Sequence, residues 1–197
     1  MAGRPTNRDE RHEQVMHALV RCVARYGLDG VSLSQIAAEA GLSRPLIRHH
    51  LGNRADIIAG LTDFVLKTFA DQTEALLAAL PMEKPSAALV DLLFSEATGS
   101  EPDMVLAFAA LTARAMVDRD LQAKCRASLL SFEAAIARTL RADFPQAGHQ
   151  RADAAAHGIT AVYFNRTSLA PLHMPESWQQ HAKLIAVKLL EELEQPS

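Results

Sequence analysis

Aromatic residues make up only 5% of the chain, and its two cysteines, Cys22 and Cys125, stand far apart. That excludes a disulfide framework and a four-cysteine zinc site, and two unpaired thiols suit a reducing compartment. Long apolar runs are missing as well. An Arg, Lys, Asp or Glu interrupts every stretch long enough to span a bilayer. The first ten residues contain no apolar core of a secretion signal, so the chain is expected in the cytoplasm, with no membrane partner. Period-two alternation and β-branched clusters are scarce, which argues against a sheet. There is no Gly-rich phosphate loop, no His-Glu-x-x-His pair and no nucleophile motif, so an enzyme is not expected. Nor is a cofactor or a metal. His49 and His50 are adjacent and point to different helix faces, and of His157, His173 and His181 only His173 has a carboxylate three or four residues on, Glu176, so the repeated ligand pairs of a di-iron bundle are not expected.

What is present is a 197-residue chain with 49% apolar and 22% charged residues, enough to bury one average core or two small ones. Its net charge of −3 is unevenly spread. Residues 1–55 carry a balance of +3, all of the cations being Arg, and the remainder carries −6. A basic end on an acidic body suits a polyanionic partner, although an excess of this size also arises by chance.

Ala and Leu dominate, and apolar residues recur at helical spacing from end to end, so the fold class is all-α, with about nine helices. The first helix carries Val15, Leu19, Cys22 and Tyr26 and ends at Gly27 and Gly30. Ser32-Leu33-Ser34-Gln35 forms a capping box that opens a second, with Leu33, Ile36, Ala37 and Ala40 on its buried face. Gly41 stops it after two turns, and Leu42 plugs the corner. Ser43 caps a third helix with Pro45 in its first turn, where a missing N–H matters least, and Ile47 and Leu51 pack inward. Asn53 caps a long fourth helix carrying Ile57, Leu61, Phe64, Val65, Phe69, Leu76 and Leu80 as far as Pro81. Five more are expected: from Pro85-Ser86 to about Gly99, from Pro102-Asp103 with Met104, Phe108, Leu111 and Ala115 on one face, and then about 118–142, 150–169 and 176–194.

Residues 32–51 are the informative part. A short helix, a glycine corner and a second short helix match a DNA-binding helix-turn-helix. The second helix presents Arg44, Pro45, Arg48 and His49 outward, groups suited to phosphates and base edges. A plain αα-corner inside a bundle is the competing reading.

Two strings extend the argument. Ser32-Leu33-Ser34-Gln35-Ile36-Ala37-Ala38-Glu39-Ala40-Gly41-Leu42-Ser43 and His49-His50-Leu51-Gly52-Asn53-Arg54-Ala55-Asp56-Ile57 follow each other in order and distance. Together they resemble the N-terminal domain of TetR/AcrR-type transcriptional regulators over about residues 10–60, and the body resembles the BetI-like subgroup. Arg48 stands where that family most often has Tyr, Leu51 where Phe is usual, Arg54 where Lys is usual, and Pro45 where a small residue is common. The resemblance implies a DNA-binding domain at 1–53 and a ligand-binding and dimerisation domain at 54–197. It implies double-stranded operator DNA as partner, contacted by Ser32, Ser43, Arg44, Pro45, Arg48, His49 and Arg54. A homodimer would bind a palindrome, most simply as a repressor, and a small organic molecule would release it by moving the fourth helix.

The last two helices read as the dimer surface. Trp178, Ala182, Ile185, Ala186, Leu189, Leu190 and Leu193 form one stripe; Ala154, Ala155, Gly158, Ile159, Ala161 and Val162 form a small-residue face. Cover of the chain's own core is the alternative. Candidate pocket residues are Phe64, Phe94, Met104, Phe108, Met116, Phe132, Tyr163 and Trp178, with Arg114, Asn165 and His157 as polar anchors, ordinary core packing being the competing reading for each. Arg114 would invite an anionic ligand if it faced inward; otherwise Glu96 or Asp118 would pair with it. The open alternatives in function are a protein-interaction module and an activator without a small-molecule inducer.

Overall fold

The computed structural model describes residues 7–95 and 102–195. Among these residues there is no strand. The helices are α1 (Asn7–Gly30), α2 (Leu33–Ala40), α3 (Arg44–Leu51), α4 (Arg54–Ala78), α5 (Pro85–Leu93), α6 (Pro102–Arg114), α7 (Arg119–Asp143), α8 (His149–Ser168) and α9 (Glu176–Glu194). Short 3-10 turns occupy Pro145–Ala147 and Ala170–Leu172. The expected all-helical architecture is present, and the bounds of α7, α8 and α9 fall within about a residue of those read from periodicity. α1 kinks at Gly27, whose φ of 73° and ψ of 164° leave the helical region before the helix ends at Gly30. α5 stops at Leu93; the expected end at Gly99 and the residue Glu96 lie outside the described residues.

The packing forms two compact units. The first comprises the residues up to Thr68 together with Asp103–Cys125. It therefore takes in the start of α4, α6 and the start of α7. Val15, Leu19, Ile47, Leu61, Val65 and Leu111 are among its buried side chains. Each such burial stabilises the fold by about 1.5–3 kcal/mol before conformational entropy is set against it. Lys124 on α7 donates to Asp63 Oδ1 on α4 at 2.8 Å, and that carboxylate raises the ammonium's pKa.

The second unit comprises Phe69–Pro102 and the chain from Arg126 onward. Its core gathers Leu89, Val90 and Leu93 of α5, Ile136 and Leu140 of α7, Ile159 and Tyr163 of α8, and Ala186, Leu190 and Leu193 of α9. Asp143 accepts from the Ser86 N–H at 3.0 Å and so satisfies a donor in the first turn of α5. The last carbonyls of α9 are served from elsewhere in the unit: Gln146 donates to Leu193 O at 3.3 Å, and Arg151 donates to Gln195 O and Glu192 O. α8 and α9 approach closely at Gly158, where a Cβ would lie 2.7 Å from Leu189 Cδ1.

Candidate nucleic-acid interface

The corner is built by side chains that the sequence places where backbone groups lack partners. Ser32 Oγ accepts from the Gln35 N–H at 3.3 Å, and the Ser32 N–H donates to Gln35 Oε1 at 2.8 Å, completing the capping box of α2. α2 ends at Gly41, whose φ of 64° and ψ of 32° are left-handed. Its N–H donates to Ala38 O at 3.3 Å and the next, that of Leu42, donates to Ala37 O at 3.0 Å, closing the helix end. Leu42 is half-buried in the corner.

α3 starts at Arg44 with Ser43 at its N-cap, but the Ser43 side chain makes no capping bond. The expected hydroxyl cap is corrected here. Pro45 at the second helical position removes one of the two amides that a serine cap can bond, and the hydroxyl does not bond the other, that of Leu46, either. Ser43 is exposed. Ile47 and Leu51 are buried, whereas Arg44, Pro45, Arg48 and His49 all lie on the exposed face. Arg48, His49 and His50 fall in the last turn, where the positive charge of Arg48 also suits the helix dipole.

α2 and α3 are held to α1 by polar contacts. Gln14 donates to Ala40 O at 2.9 Å, and Glu39 receives Arg21 Nε with Arg25 at 3.7 Å. Two histidines join the edge of the site without having been singled out as contacts. His12 of α1 and His50 have ring centroids 6.4 Å apart, and His49 and His50 are 5.7 Å apart. Their grouping could not be read from spacing, because His12 lies 38 residues from His50. No group of three His, Cys, Asp or Glu among the described residues could hold a metal ion.

α4 opens on a reciprocal cap. Asn53 Oδ1 accepts from Ala55 N–H at 2.8 Å and Asp56 N–H at 3.1 Å, while Asn53 N–H donates to Asp56 Oδ2 at 2.9 Å. Arg54 is exposed, and part of its guanidinium folds back on α1. Its Nη2 donates to Leu28 O and to Asp29 Oδ1, each at 2.7 Å, at the end of α1.

The expected pocket residues divide between the units. Phe64, Met104 and Phe108 belong to the first unit, where Met104 and Phe108 are buried and Phe64 meets the His17 ring edge-on at 5.1 Å. Phe94, Phe132 and Tyr163 belong to the second and form one aromatic cluster with Phe164, a residue not anticipated. Tyr163 lies 6.3 Å from Phe94, 5.9 Å from Phe132 and 5.7 Å from Phe164, and Arg166 sits 5.9 Å from the centre of the Phe94 ring. Beside Tyr163 on α8, Thr160 Oγ1 is buried and has no hydrogen-bond partner among the described residues.

Five expected pocket residues are corrected to the surface. Met116 is 86% exposed at the end of the turn after α6, and Arg114 is exposed too, so Arg114 offers no inward charge to an anion. Asn165 is exposed, His157 is exposed with its Nδ1 3.0 Å from Glu133 Oε2 on α7, and Trp178 is 37% exposed at the start of α9. The α9 stripe has two sides. Ala182, Ala186, Leu190 and Leu193 are buried in the second unit, whereas Trp178 and Ile185 are exposed. On α8, Ala155 and Ile159 face the core and Ala154 and Ala161 face out.

No helix among the described residues is long and apolar enough to cross a membrane. Residues 15–61, which contain the whole corner and the start of α4, match the bacterial regulatory proteins of the tetR family. The chain is similar to the HTH-type transcriptional regulator PksA of Bacillus subtilis (strain 168), 30% identical over 52% of this chain and 51% of that one, so the match spans about half of that relative. It is also similar to the HTH-type transcriptional regulator BetI of Vibrio vulnificus (strain YJ016), 25% identical over 77% of this chain and 76% of that one. Its fold is similar to that of a protein from Saccharomonospora viridis solved in complex with choline, 19% identical, with a TM-score of 0.74 over 92% of this chain and 96% of that one. A capped helix, a left-handed glycine corner and an outward-facing basic helix lie inside residues 15–61, the segment by which this all-helical chain resembles the bacterial regulatory proteins of the tetR family.

Proposed function

We propose that the chain is a homodimeric repressor that binds a palindromic operator through α2 and α3 and leaves it when a small organic molecule binds the body. The observation that carries this reading is the exposed face of α3. Arg44, Pro45, Arg48 and His49 stand together on it, while Ile47 and Leu51 anchor the opposite face. Arg44 and Arg48 reach phosphate or a guanine edge, and Ser43 and Ser32 donate to the backbone. The dimer seam is the outer side of α8 and α9, where Ala154, Ala161, Trp178 and Ile185 lie exposed. The effector site is the aromatic cluster of Phe94, Phe132, Tyr163 and Phe164, with the Thr160 hydroxyl as a polar handle. Aromatic faces favour organic cations. Choline, bound by the Saccharomonospora viridis protein, is therefore the first compound to try.

Selection of bound sequences from a random duplex pool tests the operator reading, with light scattering of the protein alone and on DNA. A palindrome bound by two chains is expected, and choline added to that complex is expected to weaken it. Recovery of no sequence above background rejects operator binding. A selected palindrome whose affinity responds to no compound in a metabolite panel rejects the ligand switch and leaves a constitutive regulator or an interaction module.

A further inference from the structure

The carbonyl of Leu28 sits where α1 gives out. The positive φ at Gly27 has already broken the helix, and the helix ends at Gly30. In a continuing helix Leu28 O would accept from the Ser32 N–H, but that N–H donates to Gln35 in the capping box of α2. The donor that Leu28 O receives instead comes from Arg54, 26 residues later, at 2.7 Å. The same Nη2 reaches Asp29 Oδ1 at 2.7 Å, so two acceptors of one turn hold one guanidinium. Asn53 and Asp56 fix the backbone that carries Arg54 by their reciprocal cap. A charged donor on a half-buried carbonyl makes a stronger bond than a surface ion pair alone.

We infer that Arg54 is a positioning residue. It staples the first turn of α4 to the α1–α2 turn and thereby fixes the frame in which α3 meets DNA, and it does not neutralise a phosphate. The inference rests on the DNA-binding reading only for its effect on recognition; the staple itself is a property of the protein alone.

Arg54→Ala, Arg54→Lys and Asp29→Ala are compared with wild type and with Arg48→Ala in three measurements well below the unfolding temperature. The first is hydrogen exchange without DNA. Arg54→Ala is expected to speed exchange roughly tenfold or more both in the α1–α2 turn and in the first turn of α4, and Arg54→Lys, which keeps one charged donor, to restore part of it. The second is the salt dependence of binding to a generic duplex. Each phosphate-neutralising cation contributes about 0.9 to the slope of log affinity on log salt, so Arg48→Ala lowers the slope while Arg54→Ala and Asp29→Ala leave it unchanged. The third is the ratio of affinities for a selected duplex and the generic one, which Arg54→Ala is expected to lower, whereas a change in stability alone leaves it unaltered.

Unchanged exchange in Arg54→Ala overturns the staple. A lower salt slope in Arg54→Ala, or a slope raised by about 0.9 in Asp29→Ala as Asp29 releases its cation, makes Arg54 a phosphate ligand. An unaltered affinity ratio reduces it to a structural contact. Failure of wild type to bind any duplex rejects DNA binding, a result separate from all of these, and the exchange measurement still decides the staple.

Discussion

Replacing Gly41 by alanine isolates the backbone cost of the corner. The residue holds φ at 64° and ψ at 32°, and a Cβ built there meets nothing within 4 Å. Crowding therefore contributes nothing, and the penalty is that of an L-residue in the left-handed region, about 1–2 kcal/mol. Alanine also restricts the unfolded chain, which offsets about 0.4–1 kcal/mol of that. The net expectation is a loss of about 1 kcal/mol, or roughly 2–4 °C in Tm for a chain of this length. Gly41→Asn should lose less, because asparagine tolerates this conformation, although its side chain is larger. The measurements are thermal and denaturant unfolding followed by circular dichroism, with DNA affinity recorded on the same samples. A neutral or stabilising Gly41→Ala, or an asparagine variant less stable than the alanine one, would falsify the argument, since the second order is the one that steric exclusion produces.

Three further outcomes are expected. Arg48→Ala weakens duplex binding by ~1–3 kcal/mol with relaxed specificity at one position per half-site if it reads a base, and by a sequence-independent amount with a smaller salt slope if it meets phosphate; competition assays at several salt concentrations separate the two. Ile185→Glu, on the exposed side of α9, is expected to give a monomer in light scattering without a large loss of Tm, whereas a variant that stays dimeric moves the seam elsewhere. The buried thiols Cys22 and Cys125 have raised pKa values, for both chiefly because burial disfavours the thiolate, so they should react with a disulfide reagent much more slowly in the folded protein than in denaturant. The raised folded-state pKa gives the sign of the pH effect. The stabilisation they contribute is fully present below the ordinary thiol range and is lost as pH rises through it, a change seen as a fall in denaturant midpoint in wild type that is smaller in a Cys22→Ala and Cys125→Ala double variant.

The elements that sequence reasoning captured are those whose causes are local. Ser32 and Gln35 stand one helical turn apart, Gly41 is the residue type most at ease at that left-handed corner, and Asn53 precedes a long apolar periodicity. What escaped depends on distant partners. Arg54 finds its acceptors 25 and 26 residues away, and His157 meets Glu133 across a helix pair. A stripe such as that of α9 has a wide apolar face, and periodicity alone does not say that Ala186 and Leu190 turn inward while Trp178 and Ile185 turn out. Ser43 occupies the right position for a cap, but Pro45 two residues on removes one of the two amides it could bond, and its side chain makes no capping bond. Met116 has the composition of a pocket residue, yet it lies just past a helix end, where side chains meet solvent.

The composition of the first unit has a consequence for synthesis. Its packing draws on Asp103–Cys125, although its other residues end at Thr68. A nascent chain that has produced the corner and the start of α4 must therefore wait for a later segment before that unit is complete. At ~5–20 residues per second the delay is roughly 3–11 s, during which Leu61 and Val65 await their final surroundings. A gene fragment ending near residue 68 encodes the whole corner but only part of the unit that supports it, so the shortest self-sufficient piece of this chain is expected to extend well past α3.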